Sequence, residues 1–369
     1  MRIDDVRVVL YQWELPPLPA AYLGPFRGGT VDVGVLVIRT DDGLEGNALL
    51  GDANGGGPEQ GRAVVTHLKP ALIGRDAWDH GAIWADLWRR SRWAGTLAVS
   101  AVDLALWDLA GKAAGVPVHR LLGTCRDKVP VYAASPNLRQ INDYAEDAVR
   151  IRESGRWHGY KIHPHGRADE DIAICAAVKE AVGDDLPLML DSFGSYDYLD
   201  ALRVGQAIQE LGFVWFEDPL AWDDLNGYVK LKSKLSIPLL ATETTPGGLY
   251  NYVPWLLERA TDMLRGDAPL KGGITPLVKI ARLAEAFRMR FEIHDAFNST
   301  DHVANLQVTM AVPNCHSYEV LLPFDTRNHG LTAYPQIDDQ GYLHAPSGPG
   351  LGVEIDWDTV KATTTAELD

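Results

Sequence analysis

The sequence predicts an α/β protein in which a parallel sheet closes into a barrel. From about residue 128, short β-type runs alternate with longer helical runs, and eight such β-type runs occur. The eight runs are Val129–Ala134, Tyr160–His163, Leu186–Asp191, Phe213–Glu217, Ile237–Glu243, Asp262–Asp267, Arg290–His294 and His316–Val320. Eight strands that alternate with helices are typical of such a barrel. The alternative is an open doubly wound sheet, which usually carries a glycine-rich fingerprint after its first strand, and none follows Val129–Ala134.

The first third of the chain predicts a sheet and helices outside this barrel. Val8–Tyr11 and Val31–Arg39 are β-type runs, and the Asp42-Gly43 dipeptide after the second run signals a hairpin. Residues 100–112 have apolar spacing near 3.6, which predicts a helix. We therefore expect a separate N-terminal domain.

These patterns divide the chain into residues 1–125, 126–325 and 326–369. The last segment has few helix signals, and we expect it to return to the N-terminal domain. Two stretches rich in glycine or proline, residues 15–30 and 51–61, are either ordinary surface loops or mobile lids over a site.

The amino-acid composition limits the kinds of binding partner and the cellular compartment that we expect for this protein. The 369 residues include 34 Lys and Arg against 50 Asp and Glu, a net charge of −16, which argues against nucleic acid or an anionic membrane as the main partner. The three cysteines lack a CxxC motif, so a disulfide framework or a thiolate zinc site is excluded. Charges interrupt the N-terminal apolar residues, and no apolar run reaches the roughly 18 residues of a membrane span. We expect a cytoplasmic protein that acts on a small molecule.

Polar residues close successive predicted strands. They are Lys161, His163, Asp191, Glu217, Glu243, Asp267, His294 and Glu319. In parallel barrels the carboxyl ends of the strands converge on one face, where active sites are found. Residues spread over about 160 positions of sequence are therefore expected to meet in one pocket.

Three of these residues predict a metal site. Asp191, Glu217 and Glu243 end three successive strands, and three carboxylates held together would repel one another without a cation. A ligand set made only of oxygen favours magnesium, with manganese as a substitute, over zinc.

Acid–base groups flank the predicted metal site. Alternation along the strand places Lys161 and His163 on the same side, and Asp267 beside His294 would favour the protonated imidazole. Two acid–base groups around a metal-bound substrate are what proton transfer at carbon requires.

In this order and spacing, the motifs resemble those of the mandelate racemase/muconate lactonizing enzyme family of the enolase superfamily. The resemblance covers almost the whole chain, and it includes the Ala105–Lys112 helix, the three carboxylate strands, the Asp267–Thr275 segment and the closing Pro349–Val353 motif. It implies a modified (β/α)7β TIM-type barrel with an α+β capping domain made from both ends of the chain. Relatives are commonly dimers or octamers, so a homo-oligomer is expected.

The resemblance also implies the chemistry. Magnesium held by Asp191, Glu217 and Glu243 would stabilise an enediolate formed when the proton α to a carboxylate is removed. Lys161 would polarise the substrate carboxylate. Glu319 matches a carboxyl group that binds the substrate carboxylate on the side away from the metal, and it would have to be protonated to donate.

Two positions depart from the family pattern. Many relatives have Lys-x-Lys where this chain has Lys161-x-His163, so either His163 is the base on that side or His294 performs all proton transfer. Relatives also often have Asn where this chain has Phe193, which changes the polar contacts available to a substrate.

We favour dehydration of a sugar acid to a 2-keto-3-deoxy acid, with His294 protonating the leaving hydroxyl. A racemase or epimerase and a cycloisomerase are alternatives from the same site, and a non-catalytic ligand-binding barrel is an alternative of a different class. The residues assigned to substrate binding are Tyr22, Arg27, Asn54, His165 and Phe193.

Overall fold

A closed barrel of eight parallel strands and a separate antiparallel sheet make up the computed structural model, which describes residues 1–16, 22–23, 29–324 and 329–369. The strands are β1 (Ile3–Leu15), β2 (Tyr22–Leu23), β3 (Gly29–Thr40), β4 (Glu45–Leu50), β5 (Lys128–Ala134), β6 (Asn137–Leu138), β7 (Tyr160–Ile162), β8 (Leu188–Asp191), β9 (Phe216–Glu217), β10 (Leu239–Ala241), β11 (Met263–Gly266), β12 (Arg290–Ile293), β13 (Tyr318–Leu321), β14 (Tyr342–His344) and β15 (Thr364–Leu368). This arrangement confirms the predicted fold class.

Helices cover the barrel and form half of the cap. The α-helices are α1 (Gly57–Ala63), α2 (His80–Ala94), α3 (Thr96–Ala114), α4 (Val118–Leu122), α5 (Ile141–Ser154), α6 (Ala168–Val182), α7 (Tyr198–Glu210), α8 (Leu225–Lys232), α9 (Tyr252–Leu257), α10 (Ala268–Lys271), α11 (Ile274–Ala286), α12 (Ser299–Ala311) and α13 (Trp357–Ala362). A π-helical turn at Val64–Leu68 and 3₁₀ turns at Lys69–Ala71 and Gly248–Asn251 complete the set. No helix within the described residues is both long and apolar enough to span a bilayer.

The barrel strands follow the order β5-β7-β8-β9-β10-β11-β12-β13, and β13 closes on β5 in parallel register. Burial on both faces of the sheet stabilises these strands, as in β8, where Leu188 to Asp191 are all buried. The strands are shorter than the sequence predicts at the ends nearest the site. His163, Glu243, Asp267 and His294 lie just beyond their strands, because the chain leaves the ladder there and turns into the following loop.

The cap is an antiparallel sheet of order β15-β1-β3-β4 with helices packed on it. β15 comes from the last residues of the chain and pairs with β1, with Val8 opposite Leu368. Residues 51–61 are not a loop throughout, because α1 begins at Gly57 with Pro58 in its first turn. The domain boundaries at residues 125 and 325 remain predictions.

Helix α3 joins the cap to the barrel, and thirteen of its nineteen residues are buried. Ser100 donates to the carbonyl oxygen of Ala268 at 3.0 Å, and Asp103 Oδ2 accepts from the amide of Thr275 at 2.9 Å. Trp107 Nε1 donates to the Thr275 hydroxyl at 2.9 Å. The cap is therefore fixed over α10 and the start of α11, directly beside Asp267.

Candidate active site

Three carboxylates meet at the carboxyl ends of neighbouring barrel strands. Asp191 ends β8 and Glu217 ends β9, and the two are partners in the parallel register. Glu243 follows β10 after Thr242, whose φ of 95° turns the chain out of the strand. One ligand oxygen from each carboxylate lies within 4.8 Å of the other two, and all three side chains are buried.

This donor set fits a hard divalent cation. Buried carboxylates at such distances repel one another, and a cation that binds all three removes the cost. Magnesium is bound by oxygen ligands at about 2.0–2.1 Å in octahedral geometry, so three carboxylate oxygens leave about three positions for water or substrate.

Lys161 and His163 lie at one end of the carboxylate row. Lys161 Nζ is 2.9 Å from Asp191 Oδ2 and 3.1 Å from Glu217 Oε2, and its side chain is fully buried. Burial and Arg265 lower the pKa of Lys161, but the surrounding carboxylates raise it well above its usual range, so the amine is a cation. His163 Nδ1 lies 2.5 Å from the carbonyl oxygen of Ser135, which can only accept, so Nε2 is the nitrogen that faces the site.

Asp267 and His294 lie at the other end of the row. His294 Nδ1 is hydrogen-bonded to Asp267 Oδ2, and its Nε2 is 3.7 Å from Glu243 Oε2. Asp267 also accepts from the amide of Leu270 at 2.7 Å, which fixes its carboxylate as the N-cap of α10. Burial lowers the pKa of His294, but Glu243 and Asp267 outweigh burial and raise it to about 10.

The two histidines flank the metal-ligand row because of strand order. His163 follows β7, which pairs with β8, and its Nε2 is 3.1 Å from Asp191 Oδ2. His294 follows β12, two strands beyond β10, and faces Glu243. A substrate bound at the row would therefore have one imidazole at each end.

Glu319 is paired with two buried cations. Glu319 is the second residue of β13, the eighth barrel strand, and its carboxylate forms ion pairs with Lys161 and with Arg265. Burial raises the pKa of Glu319, whereas Arg265 and Lys161 outweigh burial and lower it to about 2. The two cations therefore favour the ionised form of Glu319, and its role toward a substrate stays a prediction.

Arg265 is the central residue that the sequence analysis did not identify. Its guanidinium is fully buried in the barrel, with Nε 2.6 Å from Glu217 Oε1 and 3.2 Å from Glu243 Oε2. Nη1 donates to the Tyr132 hydroxyl at 3.0 Å. The alternation of side chains along β11 could have identified Arg265, because Arg265 and Asp267 are two residues apart and share a side of the strand.

The predicted strand-end residues come together in this structure, but the predicted substrate-binding residues do not form one group. Arg27 lies outside the described residues, and for Tyr22 only the backbone is described, paired with Leu138 across β2 and β6. Asn54 is exposed on the cap loop between β4 and α1. The described residues therefore show no contact between these three positions and the carboxylates.

His165 and Phe193 differ in how accessible they are. His165 uses Nδ1 with Glu170 Oε1 at 2.9 Å and Nε2 with the carbonyl oxygen of Leu138 at 2.6 Å, so neither nitrogen is open to a substrate. Phe193 is 55% exposed, and its ring makes an edge contact with Trp222 at 5.5 Å between centroids. Phe193 is thus the assigned residue that presents an apolar surface beside Asp191, a candidate metal ligand.

The barrel, its cap and a carboxylate row between two histidines define an enzyme for metal-assisted acid–base chemistry at carbon. Residues 5–123 match the sequence profile of the mandelate racemase/muconate lactonizing enzyme N-terminal domain, and residues 143–359 match that of the enolase C-terminal domain-like fold. The chain belongs to the mandelate racemase/muconate lactonizing enzyme family of the enolase superfamily. The resemblance stated from the sequence is confirmed.

Characterised relatives divide between two reactions. A D-galactarolactone cycloisomerase from Agrobacterium fabrum is 31% identical over 98% of this chain and 98% of its own length. An L-talarate/galactarate dehydratase from Salmonella typhimurium is 32% identical over 72% of this chain and 68% of its own length. The crystal structure of a D-glucarate dehydratase from Agrobacterium tumefaciens, complexed with magnesium, has a TM-score of 0.90 at 33% identity and covers 99% of this chain and 100% of its own.

Proposed function

We propose that this chain is a magnesium-dependent dehydratase of sugar acids. It removes the proton α to the substrate carboxylate, forms an enediolate, and expels the β-hydroxyl to give a 2-keto-3-deoxy acid. The observation that carries the proposal is the placement of His163 and His294 at the two ends of the carboxylate row, since dehydration needs one group to remove a proton and another to protonate the leaving oxygen.

The metal is held by Asp191, Glu217 and Glu243, and the magnesium complex of the Agrobacterium dehydratase supports this choice of ion. When bound, magnesium stabilises the negative charge that develops on the substrate carboxylate. Lys161 adds a fixed positive charge at the same place, because its amine is buried among Asp191, Glu217 and Glu319.

His294 is the proposed acid and His163 the proposed base. The Asp267 carboxylate holds a proton on His294, so at neutral pH this imidazole has a proton to deliver to a leaving hydroxyl. His163 lies at the other end of the row, with Nδ1 committed to the Ser135 carbonyl and Nε2 directed at the site. Removal of the α-proton by Nε2 of His163 and protonation of the leaving hydroxyl by Nε2 of His294 release water and leave an enol. This enol takes up a proton at C3 and loses its hydroxyl proton to give the 2-keto-3-deoxy acid.

Cycloisomerisation is the second candidate. The full-length match to the galactarolactone cycloisomerase favours it, since the Salmonella dehydratase matches over a shorter part of the chain. Both reactions begin with loss of the α-proton, so the same residues serve either one. They differ in the group that leaves Cβ, which is a hydroxyl in dehydration and a ring oxygen in cycloisomerisation.

Mass spectrometry of products from a library of sugar acids and their lactones, with magnesium and in deuterated water, tests the proposal. Loss of one water with formation of a 2-keto acid is the expected result. An open-chain product of unchanged mass formed from a lactone would assign the cycloisomerase instead, and inversion at Cα with deuterium uptake would assign a racemase. If the folded, metal-loaded protein exchanges the α-proton of no candidate substrate, we would conclude that it is a ligand-binding barrel without catalytic turnover.

The cytoplasmic location and the homo-oligomeric state remain predictions. Light scattering coupled to size-exclusion chromatography tests the second of these directly.

A further inference from the structure

The ladder between β11 and β12 is interrupted where the acid–base pair begins. The two strands pair in parallel from Met263 with Arg290 to Gly266 with Ile293, and the amide of His294 then donates to the carbonyl oxygen of Gly266 at 3.1 Å. In a parallel ladder the next bond would run from the amide of Ala268 to the carbonyl oxygen of His294. That direct bond is absent between these two described residues.

The side chain of Asn305 occupies the place of this missing bond. Its Oδ1 accepts from the amide of Ala268 at 2.8 Å, and its Nδ2 donates to the carbonyl oxygen of His294 at 3.1 Å. The carboxamide thus acts as an inserted peptide group, with its acceptor turned to one strand and its donor to the other. Asn305 belongs to α12 and is 1% exposed, so water does not compete for either bond.

Strands β8 and β9 end with a direct backbone bond of the same kind as the one between His294 and Gly266. The amide of Ser192, just after β8, donates to the carbonyl oxygen of Glu217, the last residue of β9, at 3.2 Å. Beyond the bond between His294 and Gly266, the Asn305 carboxamide connects β11 and β12 through two bonds in series, where a continued ladder would have one direct bond. Asp267 and His294 are the residues at this junction.

We infer that Asn305 is a positioning residue, which sets the separation and orientation of the Asp267 and His294 side chains through both of their backbones. Asn305 bonds to the residue after Asp267 on one strand and to His294 itself on the other. It also donates to Asp295 Oδ1 at 3.3 Å, which ties down the loop that follows His294. This inference rests on the proposed role of His294 as the acid.

The chain provides a matched control on the same helix. Gln307 is a second buried amide, and its Oε1 accepts from the amide of His119 at 2.7 Å while its Nε2 donates to the carbonyl oxygen of Leu351 at 2.7 Å. Asn305→Leu and Gln307→Leu each remove a buried amide with two backbone partners. Only the first of these amides bonds to the backbone around Asp267 and His294.

The test compares both variants with the wild-type protein, loaded with magnesium and labelled with ¹⁵N-histidine. We expect Asn305→Leu to shift the ring nitrogen resonances of His294, which are assigned by their loss in His294→Asn, and Gln307→Leu to leave them in place. On the substrate identified above, Asn305→Leu is expected to lower kcat by about 10–100-fold with KM within about threefold, because small displacements of a reacting group cost that much. Gln307→Leu is expected to keep kcat within about threefold at a comparable loss of melting temperature.

Equal His294 resonance shifts in the two variants would overturn the inference, as would equal losses of kcat. The spectroscopic comparison needs no turnover, so it decides the role of Asn305 even if the wild-type protein proves inactive on sugar acids and the proposed function fails. If Asn305→Leu does not fold, Asn305→Ser provides the same comparison with a smaller side chain.

Discussion

The amine of Lys161 lies 2.5 Å from Oε1 of Glu319, so β7 and β13, which flank β5, are joined by a buried ion pair inside the barrel. Arg265 contacts the other carboxylate oxygen of Glu319 and also pairs with Glu217 and Glu243. Glu319 is therefore part of one charge network with the candidate metal ligands Glu217 and Glu243. These contacts stabilise the two cations, whereas the family resemblance implies that Glu319 donates a proton to the substrate.

This pairing predicts that Glu319→Gln is not a conservative change. A glutamine mimics a protonated glutamate, so it would preserve function if Glu319 worked as a neutral donor. Because Glu319 is an anion between Lys161 and Arg265, we expect the variant to leave two buried cations underpaired, to lower the melting temperature, and to reduce kcat/KM by about 10²-fold or more. Steady-state kinetics and calorimetry measure both effects. Near-normal kcat/KM in Glu319→Gln would instead support the expectation that Glu319 acts as a protonated donor.

Glu217→Gln is expected to weaken magnesium binding by at least about tenfold. Glu217 is the central carboxylate of the row, and the substitution removes one charged oxygen ligand while it leaves Arg265 in place. Isothermal titration calorimetry with magnesium measures the change. Glu292→Gln is the control, since Glu292 is also a buried glutamate of the barrel but accepts from Ser317. Equal magnesium affinity in Glu217→Gln and wild-type protein would exclude the proposed metal site.

His294→Asn is expected to reduce kcat by about 10²–10⁴-fold with a small change in stability, because it removes the proposed proton donor. His302→Asn is the matched control, as His302 is likewise a buried histidine bonded to an aspartate, in this case Asp295. We expect His302→Asn to lower the melting temperature while kcat stays within about threefold of wild type. Should both variants lose kcat equally, His294 would have no special role.

The sequence contained enough information to predict the barrel and the converging carboxylates, because both depend on local patterns. β-type runs followed by helical runs determine the order of the strands, and a polar residue at each strand end must face the same mouth. The exact strand ends were not predictable, since Thr242 with φ of 95° ends β10 early through a conformation that no local pattern signals.

Residues that act through long-range contacts escaped prediction. Asn305 lies on a helix and meets Ala268 and His294 only after the barrel closes, so no spacing along the chain marks it. His165 is assigned to substrate binding from the sequence, but Glu170 and Leu138 bond to both of its ring nitrogens. Arg265 had a periodicity signal, yet its pairing with three glutamates follows from the interior charge of the closed barrel.

The junction between cap and barrel contains a further titratable group, Asp103. Its Oδ2 accepts from the amide of Thr275, and Gly273 passes so close that an added Cβ would lie 2.2 Å from that oxygen. Burial raises the pKa of Asp103 to about 7, although the hydrogen bonds from Thr275 act to lower it. Between about pH 4 and pH 7, Asp103 therefore binds more proton in the folded protein than in the unfolded chain.

Asp103→Asn is expected to stabilise the protein more at pH 8 than at pH 5. The folded pKa is the higher one, so between about pH 4 and pH 7 the native state binds more protons than the unfolded state, and the wild-type free energy of unfolding falls as pH rises through this window. Asparagine has no proton to lose and keeps an oxygen that accepts from Thr275. Urea unfolding at both pH values measures the difference, which we expect to reach a few kcal/mol in favour of the variant at pH 8. A difference that does not change with pH would show that Asp103 is ionised throughout.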